Sequence, residues 1–201
     1  DVANIDINNA NVSYMDGQAG SSFALRNLSM QTGRIVVDRP IDLSAEFDFS
    51  SSPGELGGHL AIRGVAKMSD GGSMLDVSGL NVAGTLRGIV NEPTDFNFDA
   101  RAISVDTAEQ SIDAGELDLM LLGLSMAAVV EPFSYADSPQ PKAALRVAEF
   151  SLKELMQVLD IAPPVTADPD ALTRVSFSAN AAMTSTALAL SGMTLELDDA
   201  T

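Results

Sequence analysis

Apolar and polar residues alternate along most of the chain. Ala45, Phe47 and Phe49 are separated by Glu46 and Asp48, and Phe96 and Phe98 stand between Asp95, Asn97 and Asp99. A period of two sends successive side chains to opposite faces of an extended strand, so these runs read as half-buried strands. Turn residues fall between them, at Met15-Asp16-Gly17, Ser52-Pro53-Gly54, Ser69-Asp70-Gly71-Gly72, Asn91-Glu92-Pro93 and Asp137-Ser138-Pro139. Gly and Pro supply the backbone angles that tight turns require, and the combination predicts hairpins.

A more specific spacing recurs after the turns, with large apolar residues at relative positions 0, 2, 5 and 7. The instances are Phe23, Leu25, Leu28, Met30; Leu75, Val77, Leu80, Val82; Ile112, Ala114, Leu117, Leu119; Leu145, Val147, Phe150, Leu152; and Leu188, Leu190, Met193, Leu195. At about 100° per residue these positions scatter around a helix, whereas in a strand the second pair switches face. One extra residue resolves the conflict. A β-bulge at positions 3 and 4 returns all four to one face, and Ser78-Gly79, Gly115-Glu116 and Ser191-Gly192 occupy those positions in three units. The chain therefore reads as mainly β, an antiparallel, repeat-built curved sheet or open groove of long bulged hairpins.

One stretch follows a different period. Leu152, Leu155, Met156 and Leu159 stand at helical spacing, which predicts a short amphipathic helix near 151–160. Ser151 is the N-cap, Glu154 completes a capping box, Phe150 staples onto Leu155, and Pro163 and Pro164 end the segment. The helix competes with the fourth β unit for Phe150 and Leu152, so the strand is expected to run to about Glu149. A further helical turn is expected from Asp168-Pro169.

Composition narrows the function classes. Hydrophobic residues make up 46% of 201 positions, enough to fold as one domain, and the longest apolar run, near Met120 to Val130, is interrupted by Gly and Ser and is shorter than a bilayer span. Against 28 Asp and Glu stand 11 Lys and Arg, a net charge of −17 that serves solubility and repels nucleic acid. Catalytic material is scarce. There is one histidine, no cysteine and no tryptophan, and His59 lies in Gly57-Gly58-His59-Leu60 with no nucleophile motif nearby. It is expected to face solvent or a strand edge. The absence of cysteine is compatible with an oxidising compartment. Asp198-Asp199 and Asp168-x-Asp170 are the carboxylate pairs to consider for Ca²⁺, but neither completes a calcium loop, and helix capping accounts for Asp168. No enzyme, cofactor or metal site is expected.

The segment Phe150-Ser151-Leu152-Lys153-Glu154-Leu155-Met156, followed by Ile161-Ala162-Pro163-Pro164, Asp168-Pro169-Asp170-Ala171-Leu172 and a strand closing on Leu195-Glu196-Leu197-Asp198-Asp199, resembles the core signature of AsmA-family bacterial envelope proteins. Upstream, Ile7 to Asp16 and Leu25 to Met30 resemble the strand-turn-strand that precedes it in that family. The resemblance covers most of the chain and rests on apolar and turn patterns. In that family an N-terminal helix anchors a long periplasmic β structure in the inner membrane. Its members resemble TamB-like and chorein-like bridges that carry lipids in a hydrophobic groove. The resemblance implies that residues 1–201 form a single AsmA-like β domain, an internal fragment of a longer membrane-anchored protein. It further implies a role in phospholipid transport or outer-membrane homeostasis, with envelope proteins as possible partners.

Periodicity leaves two readings of the apolar face open, because a closed core and a lipid groove use the same residues. In the first, Phe23, Leu25, Leu28, Met30, Leu75, Val77, Leu80, Val82, Ile112, Leu117, Leu119, Leu188, Leu190, Met193 and Leu195 line a groove for phospholipid or another acyl-chain lipid. In the second they pack a non-enzymatic structural or protein-interaction module that assists outer-membrane protein assembly. A secreted, adhesin-like β domain is disfavoured by the helix.

Overall fold

A computed structural model describes residues 3–136, 139–184 and 187–198. The described residues form one antiparallel sheet of 13 strands. They are β1 (Asp6–Asp16), β2 (Ser21–Thr32), β3 (Pro40–Ser52), β4 (Gly57–Ser69), β5 (Met74–Arg87), β6 (Thr94–Asp106), β7 (Ser111–Asp113), β8 (Gly115–Leu121), β9 (Leu124–Val130), β10 (Phe133–Ser134), β11 (Lys142–Phe150), β12 (Val175–Met183) and β13 (Leu188–Leu197). The one α-helix among the described residues, α1, spans Leu152–Val158.

Strand order follows the chain, β1-β2-β3-β4-β5-β6-β8-β9-β11-β12-β13, with the short β7 and β10 pairing beside β6. Among the described residues the path does not close, and β1 and β13 are its outermost strands. The apolar run at Met120 to Val130 is the β8–β9 hairpin, turning at Leu122 and Gly123. The expected turns at Asp16, Pro53, Asp70 and Glu92 all separate strands; the one at Asp137-Ser138 lies outside the described residues.

The bulges sit where the 0, 2, 5, 7 spacing requires them. In β2 the register with β3 shifts by one residue between Arg26 and Ser29, and Asn27 takes a left-handed backbone at φ 54°. In β5 the shift against β4 falls between Asn81 and Ser78, at Gly79 with φ 56°. In β13 it falls between Ser191 and Thr194, at Gly192 with φ 57°. In β11 the shift lies between Val147 and Phe150. The third unit differs. The chain breaks at Ala114 between β7 and β8, Gly115 has φ 54°, and the register with β6 is the same on both sides, Asp113 against Ser104 and Leu117 against Ala100. There β5, β6 and the β7–β8 pair keep one register through the kink, because Leu75 pairs Val105 and Leu80 pairs Ala100 without a shift.

The helix starts as its cap predicts: Ser151 is extended and its Oγ accepts the Glu154 amide at 3.2 Å. The expected turn of helix from Asp168-Pro169 does not form. Residues 168–173 make turns closed by i to i+3 bonds, the Ala171 amide to the Asp168 carbonyl and the Thr173 amide to the Asp170 carbonyl. Asp168 still caps, accepting the Asp170 amide at 2.9 Å. The chain is diverted there because Leu172, Thr173 and Arg174 donate their amides to the Asp198 carboxylate at the end of β13.

No large side chain among the described residues is fully buried. The buried apolar residues are Ala66, Ala100, Val175 and Ala179. The accessible surface is 12917 Å², against roughly 9,000 Å² for a compact monomer of this mass. The difference is the signature of a sheet with one layer and no cover.

Candidate functional site

The register decides which residues share a face. One row crosses the sheet from edge to edge: Ile7, Met30, Ala45, Ile62, Val82, Phe98, Leu119, Met126, Val147, Phe177 and Leu195, each paired with the next. Every member is apolar. The adjacent position on each strand points the other way, and there the row reads Asp6, Gln31, Ser44, Arg63, Asn81, Asp99, Asp118, Ala127, Arg146, Ser178 and Thr194. The sheet thus has one oily and one polar face over its whole width. At about 4.8 Å between strands, the apolar row is about 48 Å long.

Further rows widen the oily face. Leu80, Ala100, Leu117, Ala128, Leu145 and Ala179 form one, and Phe47, Leu60, Gly84, Phe96, Leu121 and Leu124 another. All the groove residues singled out from the sequence lie on this face. Leu75 and Val77 pair through Met68 and Ala66, on the far side of the Gly79 bulge from Leu80 and Val82. Ile112 joins them through Val105. The bulges keep both halves of each strand on one side, as inferred. The sequence spacing found Val147, in the fourth unit, but missed Ile7, Ala45, Ile62, Phe98, Met126 and Phe177 as members of the row. Of these, Ala45 and Phe98 were visible as simple alternation, because β3 pairs β4 and β6 pairs β5 without any shift.

Exposure is graded across the face. The central members are half-buried by their neighbours, whereas the edges are open: Leu188 is 65% exposed, Met193 63% and Tyr14 63%. At the end of the sheet near α1 the face runs into a cavity of about 1000 Å³, between the β5–β6 turn, the β8–β9 turn and the helix. Leu124 and Phe150 belong to both face and cavity, and Glu92, Glu149, Glu154 and Asp160 rim it. Nothing in the sequence pattern pointed to this cavity, which depends on residues distant along the chain.

The polar face carries ladders of side-chain bonds. Asn81 donates to Asn97 at 2.8 Å and to Asp99 at 2.9 Å, and Ser104 donates to Asp76 at 2.5 Å. His59 is here, on the interior strand β4 and not at an edge. Its Nδ1 is 3.0 Å from Asp48 and its Nε2 3.4 Å from Glu46. Asp48 also accepts from Asn27 at 2.6 Å. That bond, followed by the one to His59, holds the Asp48 carboxyl below its usual range. The histidine therefore ties β3 to β4 across a solvated surface.

At the other carboxylate of interest, both oxygens of Asp198 are taken by loop amides, and the Leu172 amide is the foremost cause of its lowered pKa. No group of acidic or histidine side chains that could hold a metal ion occurs among the described residues. No helix among them is long and apolar enough to cross a membrane. No family model, characterised protein or solved structure matches the chain.

Proposed function

We propose that the oily face is a lipid conduit, with acyl chains lying along the apolar rows and the headgroup kept at the hydrated margin. The observation that carries this reading is the uninterrupted apolar row across eleven strands, joined to a surface far larger than a compact protein of this mass would expose. A row of about 48 Å exceeds the roughly 15 Å depth of one leaflet's hydrocarbon, so chains can lie in series and move between equivalent positions. Each methylene transferred onto the face is worth at most about 0.8 kcal/mol. No step of chemistry is needed, and the protein acts passively.

On the AsmA-like reading, the chain is the periplasmic β part of an envelope protein tethered to the inner membrane by a segment outside this sequence. Its cargo is phospholipid and its role is phospholipid transport or outer-membrane homeostasis. That the described residues form a single layer, with no large side chain fully buried, favours this over a closed-core structural module.

The test is native mass spectrometry of the chain purified without detergent, followed by organic extraction and lipid analysis. Bound phospholipid that is lost in folded Leu80→Asp or Leu117→Asp variants is the expected result. A stably folded chain that carries no lipid and takes up no fluorescent fatty acid would sink the proposal.

A further inference from the structure

The two outermost strands differ in how they are guarded. Exposed edges are normally blunted by charge, proline or β-depleted residues, which prevent another strand from adding on. The β1 edge follows that rule, carrying Asp6, Asn8, Asn9, Asn11 and Asp16. The β13 edge does not. Its sequence Leu-Ala-Leu-Ser-Gly-Met-Thr-Leu-Glu-Leu has one charge, Glu196, and no proline. Four of its five large apolar residues, Leu188, Leu190, Met193 and Leu195, are 65, 44, 63 and 58% exposed.

The spacing of those four residues is its own mirror image. Reversing positions 0, 2, 5 and 7 gives the same set. In an antiparallel pair of two β13 strands centred on Ser191-Gly192, Leu188 stands opposite Leu195 and Leu190 opposite Met193, all on one face. The lone Glu196 then meets Ala187 rather than another charge. Facing bulges do not prevent such pairing, because the sheet already contains one instance. Asn9 of β1 and Asn27 of β2 are both left-handed, at φ 54°, and the two strands pair across them with Ile7 against Met30, Ala10 against Leu28 and Val12 against Leu25.

We propose that β13 is a self-association edge: two copies of this chain join by antiparallel β13–β13 pairing about a two-fold axis normal to the sheet. That axis leaves both oily faces on the same side, so the apolar rows of one copy continue into the other. Pairing two chains that each carry −17 works against the contact at long range, and salt screens that repulsion.

The test is sedimentation equilibrium of the intact chain from low to high salt, with crosslinking as the readout of register. The expected result is a species of twice 21.0 kDa whose dissociation constant falls at least tenfold as salt rises. Leu190→Lys/Met193→Lys should weaken it at least tenfold while its circular dichroism stays that of the parent. Because the chain lacks cysteine, Leu190→Cys mixed with Met193→Cys should crosslink efficiently. Each alone should do so poorly. A monomer at every salt concentration, a dimer indifferent to the double lysine variant, or same-residue crosslinks favoured over the mixed pair would each overturn the proposal. The second outcome would place the contact away from β13.

Discussion

Gly79 offers a test of the bulge that separates backbone conformation from packing. It sits in β5 at φ 56°, and a Cβ added there would meet nothing within 4 Å. A side chain at this position is therefore penalised only through the left-handed backbone, by about 1–2 kcal/mol for a residue bearing a Cβ. Gly79→Ala is expected at the lower end and the β-branched Gly79→Val at the upper end. Gly79→Asn should lose less than half as much as Val, because Asn9 and Asn27 already hold equivalent bulges in β1 and β2. At this chain length 1 kcal/mol is about 2–4 °C in Tm, so the Val variant should melt about 4–8 °C lower. Urea unfolding with an unchanged slope would show that stability rather than the unfolded state has altered. Gly84 is the control, since its Cβ would fall 1.9 Å from the His59 carbonyl oxygen, and Asn should be no better than Ala there. If Asn at 79 proved as damaging as Val, or if Val were neutral, the bulge would not be what holds β5. Deleting Gly79 carries the same logic into function. A one-residue slip turns Leu75 and Val77 to the polar face, and acyl-chain binding should fall while β content persists.

The remaining predictions concern the loop, the cap and the charge. Asp198 has its carboxyl pKa lowered below 3.8 by loop amides, so its contribution is present above that value and lost as pH falls through the depressed one; in Asp198→Asn this acid-dependent part of a thermal-melt series should disappear and the 170–174 loop amides should exchange faster. Ser151→Ala removes the side-chain cap of α1 and should cost about 1 kcal/mol locally, read as faster hydrogen exchange at Glu154. With a net charge of −17, the chain should take up anionic lipid less well than zwitterionic lipid of the same acyl composition, and the gap should narrow as salt rises in a flotation assay.

Much of the sheet was legible because its signals are local. Period-two alternation marked β3 and β6, and the 0, 2, 5, 7 spacing marked β2, β5 and β13 with their bulges. Asn27 was harder to see than Gly79, since asparagine announces a left-handed residue less clearly than glycine does, although both adopt nearly the same φ. The fourth unit was divided correctly between strand and helix because Ser151 interrupts the alternation with a cap. Asp168-Pro169 misled for the opposite reason. Its local chemistry suits a helix start, but Asp198 draws the following amides into a turn from the far end of β13. A contact between residues so distant in sequence leaves no periodic trace. Openness was illegible for a related reason: apolar spacing states which face wants cover and is silent on whether the chain supplies it.

The way this sheet is built explains how it holds without a second layer. Its interior positions are small where neighbouring strands crowd most, with Ala100 and Ala179 buried in one row with Leu80, Leu117 and Leu145, and Ala66 buried between Ile41 and Val77. Backbone ladders satisfy the strands internally, and on the far face the Asn81–Asn97–Asp99 and Asp76–Ser104 bonds tie neighbouring strands with side chains that remain hydrated. These features stabilise the sheet from within and from its wet side. They leave the oily side free to exchange what covers it. A closed core would gain more from burial but would commit those residues permanently, whereas an acyl chain on an open face is held by many small, equivalent contacts and can be displaced along them. The acidic surface complements this, because mutual repulsion discourages two oily faces from meeting directly while the β13 edge, with Glu196 as its one charge, remains available for ordered pairing.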